Sequence, residues 1–572
     1  MHPRPRTALF SLLFLAALAQ GELRVEGVSD DLARNVENYV GLATEPCDAD
    51  SQMIRRRFRK IEAEARSALE PFGYYRPEIE KTLSFDESCW TATLNIDPGN
   101  AVILRNADIV ITTPSATSTD FSDLQAPAIL LPGMQLRHAS YESYKESLQV
   151  RAAERGYVEG EFSKSAIDVW VEEDAADITL HYDSGPRYQF GEIQLDEDFL
   201  EESLVSGFLD FDEGMPFDSR LLNKAYTDLS FSGYFSRIEL QPIVEEAADG
   251  RIPVRVLLEP ADRIEYTVGA GYSTDSGPRV RAGYQNRRLN SKGHRFKSDV
   301  SVSPVIQGLT AEHRRPMADP RSEWLSYTAA VTSEDNDTFE SELARIGFRR
   351  SKRISAKWLR TLSLDLSYER FELAGVTERT RLVLPAVSYD HKRADRDLFP
   401  TRGRRLTLEL RGTGEFLGSS TSFMQTVINA RFVHALSDTS RLLARGTIGA
   451  TAKSEFGELP PSVRFFAGGD ESIRGYDYES LGPKDDMGNV IGGSNLLVAS
   501  VEYERLLRGN FYGAVFVDAG NAFDSMDVDA AVGTGIGLKW LSPVGPLRLY
   551  LGFPLNQSDD SVRVHVRLGA DL

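Results

Sequence analysis

The chain holds 572 residues, 41% hydrophobic and 26% charged, with 65 Lys+Arg against 85 Asp+Glu and a formal net charge of −20. This composition excludes a globally disordered chain, and its acidic balance argues against a nucleic-acid binder, which needs clustered Lys and Arg. Two cysteines and eight scattered histidines, with no H-E-x-x-H pairing, exclude a thiolate zinc cage, and no metal or cofactor is expected.

At the N-terminus, Arg4 and Arg6 precede an apolar run from Ala8 to Ala19 in which Ser11 is the only polar residue. Ala17-Leu18-Ala19 supplies the small residues of a cleavage site before Gln20. The run is too short for a spanning helix, which needs about 20 apolar residues, so 1–19 is expected to be a signal peptide. No later segment is apolar and long enough to span as a helix. Export to an oxidising compartment makes a Cys47–Cys89 disulfide the expected state of the two cysteines.

Charge divides the rest of the chain near residue 262. Residues 22–262 carry 22 Lys+Arg and 47 Asp+Glu, whereas 263–572 carry 41 and 38. The acidic part repeats itself with a helical stretch, a Gly-Tyr and alternating strands. The helical stretches are Ile54–Leu69, Tyr141–Arg155 and Ser219–Phe231, followed by Gly73-Tyr74, Gly156-Tyr157 and Gly233-Tyr234. Glycine there is the expected left-handed helix stop, and the aromatic after it is expected to start the return strand. Strands are expected at Thr91–Ile96, Asp177–Tyr182 and Ile252–Pro260, with short opening strands such as Leu23–Val25 and Phe190–Leu195. The order β-α-α-β-β in tandem resembles POTRA domains, the periplasmic modules of outer-membrane assembly proteins. Their expected bounds are 20–103, 104–188 and 189–262.

The second part, 263–572, alternates with period 2. Val562, Val564, Val566 and Leu568 interleave with Arg563, His565 and Arg567, and Leu547, Leu549, Leu551 and Phe553 with Arg548, Tyr550 and Gly552. One face suits lipid and the other water, the pattern of a transmembrane β-strand. Similar runs recur from Ile264 onward, and the spacing predicts a 16-stranded antiparallel transmembrane β-barrel. Each strand needs about 9–11 residues to span, and closure satisfies the backbone in lipid.

A glycine-rich connection between the eleventh and twelfth strands contains Gly468-Gly469-Asp470 and Ile473-Arg474-Gly475-Tyr476, followed by Leu481-Gly482-Pro483. It resembles the sixth extracellular loop of the BamA/TamA superfamily of outer-membrane insertases. The partner motif of that family, aromatic-x-Asp-x-Gly, is matched by Phe516, Asp518 and Gly520 on the thirteenth strand. The resemblance implies a loop folded into the barrel, with Arg474 paired to Asp518. A planar guanidinium fork suits such a bidentate pair better than a lysine would.

Three POTRA repeats ahead of a barrel of this size resemble the TamA branch of the superfamily, the outer-membrane subunit of the translocation and assembly module. The resemblance implies residence in the bacterial outer membrane with POTRA domains in the periplasm. It also implies contact with outer-membrane lipid, an inner-membrane-anchored TamB-like partner, and unfolded outer-membrane protein clients, autotransporters among them. The first strand (about Ile264–Tyr272) is expected to pair with the last (about Val562–Leu568) at a seam weakened by Gly269, Gly271 and Gly569. Such an edge offers a place for a client strand to add. The alternative is a two-partner-type secretion pore for one exoprotein, whose usual pointers are a plug helix and two POTRA units. A lipid-transport role is compatible with the same architecture. No enzyme is expected, because Gly533-x-Gly535-x-Gly537 lies in a strand-like stretch and no G-x-S-x-G is present.

Overall fold

The computed structural model describes residues 21–86, 89–115, 118–124, 127–396, 399–453, 456–525, 528–542, 545–555 and 562–568. The expected signal peptide and Gly569 lie outside these residues. The chain divides into two compact units, 1–194 with 211–223 and 241–255, and 195–210 with 224–240 and 256–572.

The acidic part folds as three small α/β modules. The first comprises β1 (Glu22–Glu26), α1 (Asp30–Tyr39), α2 (Ser51–Leu69), β2 (Glu78–Phe85) and β3 (Trp90–Asp97). Its sheet order is β1-β3-β2, with β1 parallel and β2 antiparallel to β3. The Asp50 side chain caps α2 by accepting the Gln52 amide at 3.1 Å. Ile54, Ile61, Ala65 and Ala68 then fall on one helix face and pack onto Trp90, Ala92, Leu94 and Ile96, the alternate residues of the central strand. Cys47 and Cys89 are joined by a disulfide within this module.

The second module comprises β4 (Ile103–Thr112), α3 (His138–Arg155), β5 (Glu161–Trp170) and β6 (Ala175–Asp183), in the order β4-β6-β5. Among the described residues here, two single 3₁₀ turns, 122–124 and 128–130, stand where a first helix is expected. Pro114, Pro127, Pro132 and Gly133 in that stretch remove the donors and the rigidity a full helix needs. The third comprises β7 (Gln189–Asp196), α4 (Glu202–Ser206), α5 (Ser219–Ser232), β8 (Phe235–Pro242) and β9 (Arg251–Pro260), in the order β7-β9-β8.

The repeated Gly-Tyr acts as a punctuation mark with a physical cause. At the end of α3, Gly156 adopts φ 82° and its amide closes on the Ala152 and Ala153 carbonyls, a left-handed stop that disfavours other residues. The tyrosine does not start the return strand in the first two modules, where β2 and β5 begin four residues later. Tyr157 and Tyr234 are instead buried. The ring serves the core before the chain turns outward into the sheet.

The second part forms one 16-stranded antiparallel, nearly closed barrel. Its first eight strands are β10 (Ile264–Ser273), β11 (Gly277–Asn286), β12 (Arg295–Val302), β13 (Ile306–Pro316), β14 (Glu323–Asp335), β15 (Phe339–Ser355), β16 (Trp358–Leu373) and β17 (Val376–Ala394). The remainder are β18 (Arg402–Thr413), β19 (Phe423–Ser437), β20 (Ser440–Lys453), β21 (Asn495–Arg508), β22 (Phe511–Phe523), β23 (Ala531–Ser542), β24 (Gly545–Pro554) and β25 (Arg563–Leu568). Alternation works as expected on β22, where Val515 and Val517 are each 52% exposed while Phe516 and Asp518 are buried.

Two expectations are corrected. Strands of 9–11 residues are too short for much of the wall, since β15, β16 and β17 run for 17, 16 and 19 residues. Their ends carry Glu340, Glu342, Arg370 and Glu372 at one side and Arg350, Lys352 and Arg353 at the other, charges suited to water rather than hydrocarbon. The second correction concerns the seam. β10 pairs with β11 over ten residues and β25 with β24 over six, yet among the described residues no hydrogen-bonded ladder joins β10 to β25. The last strand is short, and Gly269 and Gly271 bring no side chain to the edge.

Candidate functional site: a loop folded into the barrel

The connection between β20 and β21 is organised by its own backbone. Phe465 and Gly493 exchange hydrogen bonds of 2.9 and 2.7 Å, and Ala467 and Leu481 exchange bonds of 3.0 and 2.9 Å. Between them, Ala467, Ile473, Tyr476 and Leu481 pack with Val498 of β21 and Ala531 of β23. The small apolar core holds the loop against the inner wall.

Arg474 is the centre of this arrangement. Its Nε donates to Asp518 Oδ2 at 2.7 Å and its Nη2 to Asp518 Oδ1 at 2.8 Å, and its amide adds a 3.0 Å bond to Oδ2. The remaining donors reach Glu502 Oε2 at 2.5 Å and Ser500 Oγ at 3.2 Å, both on β21. The guanidinium carbon lies 3.5 Å from the Phe516 ring centroid and 4.7 Å from that of Tyr550, cation–π contacts with two rings that meet edge-on. Tyr550 in turn donates to Glu502 Oε1 at 2.7 Å. Arg445 of β20 stands 3.6 Å from Asp518 and donates to the carbonyls of Asp470 and Ser472 at 3.0 and 3.1 Å. Two guanidiniums thus face two buried carboxylates, so charge is balanced away from bulk water.

Close approach explains the glycines around it. A side chain at Gly533 of β23 would place Cβ 1.9 Å from the Arg474 carbonyl oxygen, and one at Gly552 of β24 would meet the Gly475 amide at 2.7 Å. The loop backbone lies directly on two strands. Gly475, at φ 100°, donates its amide to His565 Nε2 of β25 at 3.0 Å, and Tyr476 donates to the Val532 carbonyl at 3.3 Å. Gly468 and Gly469 shape the preceding turn at φ 102° and 96°, and Gly520 lies on β22 two residues after Asp518.

The structure therefore brings together Ile473, Arg474, Gly475, Tyr476, Phe516 and Asp518, all named from the motif pair. Sequence reasoning missed Ser500, Glu502 and Tyr550 as partners of Arg474, and the roles of Asp470 and His565. A signal for the first two existed: Ser500, Glu502 and Glu504 alternate on a strand whose other face is apolar. Asp275, Asp470 and His565 have donor atoms within 4.8 Å of one another. Their hydrogen bonds already engage both imidazole nitrogens: Nε2 accepts from Gly475, so Nδ1 carries the proton and donates to Asp470.

Comparison with known proteins fits this geometry. Residues 268–571 match the Omp85 superfamily domain, and residues 22–98 match the POTRA domain described as TamA domain 1. The outer membrane protein assembly factor BamA of Nitratidesulfovibrio vulgaris is 24% identical over 61% of this chain and 46% of its own. BamA of Neisseria meningitidis serogroup B is 21% identical over 78% of this chain and 64% of its own. The chain thus spans about half to two-thirds of the length of these relatives. The crystal structure of Haemophilus ducreyi BamA lacking POTRA domains 1–3 shares the fold, with a TM-score of 0.68 at 17% identity over 81% of this chain and 99% of that one. With POTRA modules, a 16-stranded barrel and the superfamily domain over 268–571, the chain belongs to the Omp85 superfamily as an outer-membrane β-barrel protein.

Proposed function

We propose that this protein assembles other β-barrel proteins in the outer membrane by offering its seam as an edge for incoming strands. The observation that carries the reading is that, among the described residues, no ladder joins β10 to β25, whereas the other fifteen neighbouring pairs are hydrogen-bonded. In hydrocarbon an unpaired strand edge is costly, so a client strand that supplies the missing partners gains hydrogen bonds the barrel lacks. No nucleotide hydrolysis is invoked; client folding supplies the free energy. The loop held by Arg474 fills the interior and keeps the barrel shaped while the seam exchanges partners.

The finer reading places the protein in a translocation and assembly module. Three POTRA modules and the TamA-type match over 22–98 support it. In that role the POTRA arm docks an inner-membrane-anchored TamB-like partner, and autotransporters are among the clients. Recovery of such a partner by crosslinking and mass spectrometry of the envelope complex supports the module.

Cysteines paired across the seam, at Val268 and Val564 or register neighbours, test the edge mechanism. A disulfide needs Cα atoms within about 7 Å, so several pairs are required. The locked barrel is expected to fold and sit in the membrane yet lose client assembly until reduced. Full activity in a demonstrably crosslinked protein rejects the edge mechanism and favours a two-partner-type secretion pore, whose exoprotein passes through the lumen without seam opening.

A further inference from the structure

We propose that Asp470 and His565 form a latch that holds the seam shut at the end where β10 turns into β11. Asp470 sits on the loop, not on either edge strand, yet it holds both. Its Oδ2 accepts from Ser273 at 2.9 Å and its Oδ1 from Thr274 at 3.1 Å, both at the end of β10. Its amide donates to Asp275 Oδ2 at 2.8 Å. On the other side of the seam, His565 Nδ1 of β25 donates to the same Oδ1. The carbonyl of Asp470 accepts from Arg445 of β20, which anchors the residue to the wall. One buried carboxylate therefore does by side-chain hydrogen bonds what a strand ladder does elsewhere in the barrel.

The second arm of the latch is the imidazole. His565 accepts the Gly475 amide on Nε2 and donates to Asp470 from Nδ1, so its two nitrogens tie β25 to both ends of the segment 470–475. The segment also contains Arg474, whose bonds to Asp518, Glu502 and Ser500 fix it to β21 and β22. Seam closure and loop seating are thereby coupled: β25 leaves β10 at this end only if it also leaves the loop. The same bonds leave the imidazole no lone pair for a cation, which distinguishes a latch from a metal site. This inference deepens the edge mechanism and rests on it.

The test is a distance across the seam in the purified full chain in bilayer discs, with no client present, so its result is independent of whether any client is assembled. Nitroxide labels at Tyr272→Cys and Val564→Cys occupy outward positions, 53% and 46% exposed, and the chain's two native cysteines are already bonded to each other. A narrow distance distribution is expected in the parent. Asp470→Ala is expected to shift it longer and broaden it, as is Ser273→Ala combined with Thr274→Val, which removes the two hydroxyl donors at the end of β10 and the 3.5 Å contact of Thr274 with His565 while leaving the Asp470 amide on Asp275. His565→Leu is expected to broaden it, whereas His565→Asn, which keeps a donor near the Nδ1 position, is expected to restore most of the narrow population. Loss of heat-modifiable mobility reports misfolding separately, and the Ser273/Thr274 variant, remote from the buried ion pair, then serves as the decisive one. Unchanged distributions in a folded Asp470→Ala or Ser273/Thr274 variant overturn the latch. So does broadening of the parent by a chelator alone, because that assigns the closure to a bound cation.

Discussion

The wall of β15, β16 and β17 and the seam between β10 and β25 are cut from the same kind of alternating strand, and they behave in opposite ways. The wall strands run for 16–19 residues, and β16 pairs along nearly its whole length on both sides. At the seam, ten residues of β10 and six of β25 stand side by side with no ladder among the described residues, and apart from a 3.5 Å contact between Thr274 and His565 the hydrogen bonds at that end run through a loop from elsewhere in the chain. Backbone ladders are cooperative and hard to exchange; a few side-chain bonds to one carboxylate are not. The contrast shows how a barrel can keep a stable wall and a replaceable edge in one sheet.

The largest expected effect comes from removing the cation that seats the loop. Arg474→Ala leaves Asp518 and Glu502 buried without their partner, a loss of about 3–5 kcal/mol for a fully buried pair and less where lumen water enters. Heat-modifiable gel mobility and a client-assembly assay should both fall, and Asp518→Ala should act in the same direction. Unchanged behaviour in both variants removes the pair from the account.

A control of comparable size lies in the first module. The Cys47–Cys89 bond closes a loop with a sequence separation of 42, and in the chain-entropy model its reduction costs about 4 kcal/mol. Non-reducing peptide mapping should find the two joined. Reduction should lower the unfolding temperature of the first module while barrel mobility on gels stays unchanged. A barrel that loosens on reduction contradicts the independent stability of the first module and the barrel.

Gly533→Ala sharpens the comparison with a smaller change. The new Cβ falls on the Arg474 carbonyl, and overpacking of this kind costs about 1–3 kcal/mol. Client assembly should drop with the wall strands intact, read as unchanged far-ultraviolet circular dichroism and raised protease sensitivity of the loop. The smallest effect is expected at Gly269→Val, where a side chain meets nothing within 4 Å. A β-branched residue there stiffens β10 by up to about 1 kcal/mol, so seam exchange and client assembly should slow without loss of folding.

Much of this was legible in the sequence, for local reasons. A Gly-Tyr after each helix and alternating runs in the second part are read from neighbours in sequence, so the three modules and the count of sixteen strands follow from the residues. The 3₁₀ turns that stand for a first helix among the described residues of the second module were also written locally, in Pro114, Pro127 and Pro132, against a repeat pattern that suggests a helix. The Arg474–Asp518 pair spans 44 positions and was legible only through its family motif. Alternation marks Ser500, Glu502, Tyr550 and His565 as inward positions but not as neighbours of the loop, because each is one of many such positions on its strand and register alone decides which of them meet. Register depends on turns and shear that no single strand encodes. The strand lengths failed for a related reason: hydrocarbon thickness sets a minimum span, and hairpins are free to continue beyond it.

Amide hydrogen exchange of the full chain in bilayer discs tests the central claim most directly, because protection reports the free energy of opening strand by strand. The account predicts that the seam-facing amides of β10 and the amides of β25 exchange far faster than those of β15, β16 and β17, and that Asp470→Ala speeds the seam amides while leaving those of β15, β16 and β17 unchanged. Equal protection of seam and wall in the parent protein would contradict it.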